Sequence, residues 1–104
     1  MTDYILKDFN PLTLQSTVNK AQELCKEYAI SHIPIVEDAK LIGCFSQNDI
    51  QSLEDKSQKL SDFMDVFEHF SAHISESVLE LLKIFADNDA NIIPVIDNNN
   101  YVGY

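Results

Sequence analysis

The chain carries one pattern written twice, about sixty positions apart. Ile33-Pro34-Ile35-Val36 is answered by Ile93-Pro94-Val95-Ile96, Thr17-Val18 by Ser77-Val78, Leu41-Ile42 by Tyr101-Val102, and Gly43 by Gly103. Upstream the register slips by one residue, with Asp3-Tyr4-Ile5 corresponding to Asp62-Phe63-Met64. Chance supplies an Ile-Pro pair twice far more readily than a matching helix, strand and turn around both. In 104 residues, such a duplication leaves room for two small units, neither self-sufficient, that bury their apolar faces together.

Local patterning agrees between the copies. Val18, Ala21, Leu24, Cys25 and Tyr28 recur at spacings of three and four, which predicts an amphipathic helix over 17–29. Val78, Leu81, Leu82 and Phe85 predict its counterpart over 77–88. Ser77 followed by Glu80 fits a capping box, in which each side chain satisfies the other residue's free backbone N–H; the first copy lacks that Glu. Each helix leads to a β-rich run, 32–36 and 92–96, whose proline suits a strand edge or start. Polar turns follow, Glu37-Asp38-Ala39-Lys40 and Asp97-Asn98-Asn99-Asn100, in which Asp and Asn tolerate left-handed backbone. Residues 41–45 return as the second hairpin strand, and Ser46 or Asn48 caps a short helix carrying Ile50 and Leu53. Each copy therefore reads as lead-in strand, helix and hairpin, with a further helix in copy one. The expected division is 1–59 for the first copy with its linker and 60–104 for the second.

Copy two is the shorter. Tyr104 aligns with Cys44, so nothing answers Phe45-Ser46-Gln47-Asn48-Asp49-Ile50 or the helix behind them. A last strand of about four residues leaves apolar surface and an unpaired edge, a liability unless covered. Either the chain is truncated or a second molecule supplies the cover.

Seventeen acidic residues face seven lysines and no arginine, for a formal charge of −10. Binding DNA or RNA requires cations that displace counterions from phosphates, and docking on anionic lipid requires the same. Neither nucleic acid nor membrane is an expected partner. A hydrophobic content of 45% is enough for a small core and too high for a wholly disordered chain. Cys25 and Cys44 form neither a CxxC pair nor a disulfide framework and read as reduced, partly buried thiols. No apolar stretch approaches the ~20 residues needed to span a bilayer. A soluble, cytoplasmic chain is expected.

In this order and at this spacing, twice, these residues resemble tandem CBS domains, the paired unit called a Bateman module. In copy one the resemblance rests on Thr17-Val18, Ile30-Ser31-His32-Ile33-Pro34-Ile35-Val36-Glu37 and Leu41-Ile42-Gly43-Cys44-Phe45-Ser46-Gln47-Asn48-Asp49-Ile50. In copy two it rests on Leu60-Ser61-Asp62-Phe63-Met64, Ser77-Val78, Asn91-Ile92-Ile93-Pro94-Val95-Ile96-Asp97 and Tyr101-Val102-Gly103-Tyr104. The resemblance implies an α+β fold of two β-α-β-β-α repeats related by pseudo-twofold symmetry, the second incomplete, paired through their sheets. It also implies a regulatory role without catalysis. Such modules commonly dimerise, and many bind AMP, ADP, ATP or other adenosyl ligands in clefts between the repeats.

In the family, a Ser or Thr followed three residues later by Asp holds ribose and phosphate. Here those residues are Ser46 and Asp49. An ionised Asp accepts from both ribose hydroxyls, while a serine hydroxyl and a helix N-terminus donate to phosphate. The resemblance puts the adenine ring near His32, Ile33 and Pro34. The same residues have plainer readings: Ser46 and Asp49 as a cap and a first-turn acid, His32 as a half-exposed strand histidine, Ile33 and Pro34 as core and edge. Gln47 and Asn48 stand where relatives often carry basic residues, so AMP, adenosine or another weakly charged ligand is easier to accommodate than ATP. Copy two has no Ser-x-x-Asp, leaving at most one intact site per chain.

Other chemistries fit less well. Glu68, His69 and His73 carry metal-binding groups, but the repeat alignment puts 69–74 in a strand and loop, where the histidines share no helix face. No metal is expected. Cys25 lies on an apolar helix stripe and Cys44 in a strand beside Gly43, where burial suppresses thiol reactivity. Two glycines in the whole chain leave little scope for a phosphate loop, and no GxSxG elbow is present. Residues 54–59 read as a solvated link, and Phe63, Met64, Val66, Phe67 and Phe70 as packing in the seam between copies, with some of them free to face a partner. The expected function is a regulatory CBS pair, not an enzyme, that senses an AMP-like or other adenosyl ligand as a homodimer. The alternative is a degenerate pair serving only protein–protein association, without a small molecule.

Overall fold

The computed structural model describes residues 11–98 and 100–104. The lead-in strand expected around Asp3-Tyr4-Ile5 lies outside the described residues. In chain order the elements are helix α1 (Val18–Tyr28), strands β1 (His32–Glu37) and β2 (Lys40–Ser46), helix α2 (Gln47–Gln51), a 3₁₀ segment (Leu60–Val66), strand β3 (Ala72–His73), helix α3 (Val78–Asn88), and strands β4 (Val95–Asp97) and β5 (Asn100–Gly103). One five-stranded sheet runs β1-β2-β5-β4-β3.

The two helices start and stop by the same local chemistry. Thr17 caps α1 by accepting from Lys20 N–H, and Ser77 caps α3 by accepting from Glu80 N–H, each at 3.3 Å. Both helices end on a left-handed residue, Ala29 (φ 53°) and Asp89 (φ 48°), a conformation that turns the chain while tying up the last carbonyls. Val18, Ala21, Leu24 and Cys25 are buried on α1, as their spacing requires. No residue of α3 is buried.

Strand pairing repeats at an offset of sixty. Ile35 lies opposite Gly43 and Val95 opposite Gly103; Val36 opposite Leu41 and Ile96 opposite Tyr101; Glu37 opposite Lys40 and Asp97 opposite Asn100. Both hairpins carry an irregularity at the equivalent step, between Ile35 and Val36 and between Val95 and Ile96. Leu12 bridges Ile35 in parallel, as Ala72 pairs with Val95 in parallel.

Equivalent residues also meet each other. Lys40 pairs with Asn100 where β2 joins β5. Ser31 N–H donates to Asn91 Oδ1 at 2.8 Å, and Asn91 N–H returns a bond to Ser31 Oγ at 2.9 Å. A pair that contacts its own repeat equivalent reciprocally sits on a twofold axis, so the repeats are related by a pseudo-twofold. The core sits mainly in the first repeat, where Leu60, Phe67 and Ile92 of the second join it. Val18, Ile33, Ile35, Phe45, Ile50 and Leu60 are fully buried, each contributing about 1.5–3 kcal/mol of transfer free energy.

Several expectations need correction. The strand expected over 92–96 begins only at Val95, because β5 stops at Gly103, opposite Val95, and among the described residues no strand pairs with Ile92–Pro94. Among the seam residues Phe67 is buried and packs on Phe45 at 5.3 Å between ring centroids. Met64 and Val66, however, are exposed; the three-residue repeat of the 3₁₀ segment brings Leu60 and Phe63 to the core side and turns Met64 away. Ser46, not Asn48, caps α2, and that helix ends before Leu53. Among the described residues no helix is long and apolar enough to cross a membrane.

Candidate functional site

A cleft of about 400 Å³ opens where β1 and β2 of the first repeat face the second repeat. Its lining comprises Ser31 and His32 at the start of β1, Ser46 to Asp49 at the β2–α2 junction, Glu68 after the 3₁₀ segment, and Asn88 with Asp89 at the end of α3. Both repeats therefore build it.

The hairpin register brings these groups together. His32 lies opposite Ser46 across β1 and β2, so two residues fourteen positions apart share one wall. Ser46 Oγ accepts from Asp49 N–H at 3.1 Å, which caps α2 and fixes the Ser46 side chain. Gln47 N–H donates to Ser31 carbonyl oxygen at 2.8 Å, tying the α2 start to the loop before β1. Because Ser46 Oγ acts as an acceptor in the cap, its own proton remains for donation into the cleft.

His32 is not the half-exposed strand residue that alternation implied. It is 4% exposed, with Nε2 3.2 Å from Glu68 Oε1, Nδ1 2.8 Å from Ser31 Oγ, and its ring edge-on to Phe70 at 5.1 Å. Buried imidazoles need partners at both nitrogens, and this one has them. Glu68 arrives through a two-way backbone bridge, Cys44 N–H to Glu68 O and Glu68 N–H to Cys44 O, each 2.8 Å. Gly43 allows that approach, since a Cβ there would lie 3.0 Å from Phe67 Cβ and 3.3 Å from Glu68 O.

Of the five residues expected at the site, His32, Ser46 and Asp49 line the cleft. Ile33 and Pro34 do not: both are fully buried, Ile33 in the hydrophobic core on the face opposite His32, as strand alternation requires. Sequence reasoning did not find Glu68, Asn88 and Asp89 as site residues, because each reaches the cleft from the other repeat. The sixty-residue offset of Ser31 from Asn91 was the available signal, since a self-equivalent pair marks the axis beside which such a cleft lies.

The thiols are inert by placement. Burial pushes Cys25 up to about 11, and burial with the neighbouring Glu68 carboxylate pushes Cys44 up to about 12. Burial, with Tyr104 and Cys44 adding, also raises the Tyr101 phenol well above its usual range. Among the described residues no group of three or more His, Cys, Asp or Glu is arranged to hold a metal ion; His73 is engaged with Ser75 Oγ at 2.8 Å.

Comparison with known proteins agrees with this fold. The chain is 34% identical over 92 residues to inosine-5'-monophosphate dehydrogenase of Bacillus subtilis, covering 86% of this chain and 19% of that protein. It thus spans about a fifth of the length of the curated relatives it matches. Among solved structures, a CBS domain pair/ACT domain protein from Thermotoga maritima superimposes with a TM-score of 0.81 at 16% identity, over 97% of this chain and 84% of that one. CBSX2 in complex with AMP superimposes with a TM-score of 0.74 at 19% identity, over 97% and 84%. The CBS domain profile matches residues 2–54 and again residues 60–104, and the chain accordingly belongs to the CBS domain family, as a pair of such domains.

Proposed function

We propose that this regulatory CBS pair senses an adenosyl ligand of the AMP class, held in the cleft between its repeats. The observation that carries the reading is the convergence of Ser46, Asp49 and His32 from the first repeat with Glu68, Asn88 and Asp89 from the second around one cavity. Asp49 would accept from the ribose diol, and Ser46 would donate its free hydroxyl proton. A ligand touching both walls favours the arrangement in which the repeats are closed on each other. Its binding energy thereby becomes coupling energy for whatever the module regulates. The AMP complex of CBSX2, a protein of the same fold, supports the ligand class.

Thermal unfolding tests this directly. AMP at a hundredfold excess over its Kd adds about 2.7 kcal/mol, which for a chain of this size raises Tm by roughly 10 °C or more. Asp49→Ala is expected to remove that rise while unfolding stays cooperative. An unchanged Tm shift in the variant would contradict the role of Asp49, and a Tm indifferent to every adenosyl compound would sink the reading.

A second reading, association without a ligand, is favoured by α3. Val78, Leu79 and Leu82 are 66%, 78% and 58% exposed, whereas the equivalent helix α1 packs against α2 and buries four residues. The two readings meet in a homodimer whose interface is this bare helix face.

A further inference from the structure

The same cleft has a charge problem for a nucleotide, and its solution narrows the ligand. We propose that the cleft discriminates by charge, accepting a nucleoside or a cationic adenosyl compound and rejecting a polyphosphate chain. This inference rests on the adenosyl reading above and refines it.

Among the described residues the lining carries the carboxylates of Asp49, Glu68 and Asp89 and no lysine. Lys40 lines a different cavity, with Phe70 and Ile84. His32 Nε2 lies 3.2 Å from Glu68, and the Asp49 and Asp89 carboxylates have no cationic side chain beside them in that lining. The whole chain adds a field of −10 formal charges, so no longer-range attraction compensates.

Backbone donors do not compensate either. Helix α2 has five residues, too few for an N-terminal anion site. Two of its first three N–H groups are already committed, Gln47 to Ser31 O and Asp49 to Ser46 Oγ. What remains pairs three carboxylates with neutral donors only, the Ser46 hydroxyl and the side-chain amides of Gln47 and Asn48, since both nitrogens of His32 are already engaged. That inventory matches hydroxyl and ammonium- or sulfonium-like groups, not phosphate oxygens.

Isothermal titration at about 0.1 M salt with EDTA, using adenosine, S-adenosylmethionine, AMP and ATP, reads the selection. Adenosine and S-adenosylmethionine are expected to bind more tightly than AMP, and ATP at least about tenfold more weakly than adenosine, as unscreened like charges at contact range require. Raising the salt should strengthen AMP binding relative to adenosine. Asp89→Asn keeps a residue suited to the left-handed position at φ 48° and should narrow the ATP-to-adenosine gap; Glu68→Gln should act likewise. ATP binding as tightly as adenosine, or AMP binding that weakens with salt, overturns the charge selection and leaves the adenosyl reading standing. No binding by any of the four compounds overturns both.

Discussion

Ser46 shows how one residue serves two ends. The sequence left open whether it caps a helix or touches a ligand, and the structure makes the cap real while leaving the hydroxyl proton uncommitted. His32 was harder to read. Nothing in its strand context announces Glu68, thirty-six positions away, as the partner that permits its burial. The cysteines, by contrast, were legible from helical spacing and strand context alone, since an apolar neighbourhood is what raises a thiol pKa. Both thiols stay protonated in the folded chain well above their ordinary 9.0. Folded protein therefore holds more protons than unfolded protein between about pH 9 and pH 11. Their contribution to stability is complete below pH 9 and is lost as pH rises through 11 and 12. At pH 8 a thiol reagent is expected to leave native protein unmodified over minutes and to modify two thiols in urea. Rapid labelling of the native chain would contradict their burial.

At the scale of elements, the hairpins were legible because alternating apolar runs flank polar turns. Which backbone each turn adopts was not. Asp38 and Ala39 both take left-handed conformations, φ 49° and 66°, as a two-residue turn between twisted strands demands. An alanine there bears a strain of about 1–2 kcal/mol, which glycine relieves at an unfolded-state cost of about 0.4–1 kcal/mol. Ala39→Gly is therefore expected to stabilise the chain by about 0.5–1 kcal/mol in urea unfolding. Gly43→Ala should do the opposite, costing about 1–3 kcal/mol, because its Cβ would press on Phe67 Cβ, which cannot swing aside. If the two substitutions move the urea midpoint in the same direction, the turn or the β2 packing is misassigned. The short β4 and the 3₁₀ segment escaped sequence reading for a common reason. Both depend on what lies opposite them, not on their own residues.

For the molecule as a whole, duplication was visible in the sequence, and the palindromic order β1-β2-β5-β4 is its physical expression. The asymmetry was visible too. One helix is covered by α2, and the other keeps Leu79 and Leu82 in solvent. Burying what remains exposed of these two leucines recovers about 2–4 kcal/mol, a sizeable incentive to associate. Light scattering is expected to find a dimer that Leu79→Lys with Leu82→Lys converts to a folded monomer; an unchanged mass would place the interface elsewhere. What the sequence could not supply is the second repeat's side of the cleft, because contacts across a pseudo-twofold carry no local periodicity. The central claim, a ligand cleft shared by both repeats, is tested most directly by a ¹⁵N–¹H titration with adenosine. Amide shifts are expected to concentrate at Ser31, Ser46, Asp49, Glu68, Asn88 and Asp89, on both walls together. Shifts confined to one repeat, or none at saturating adenosine, would contradict it.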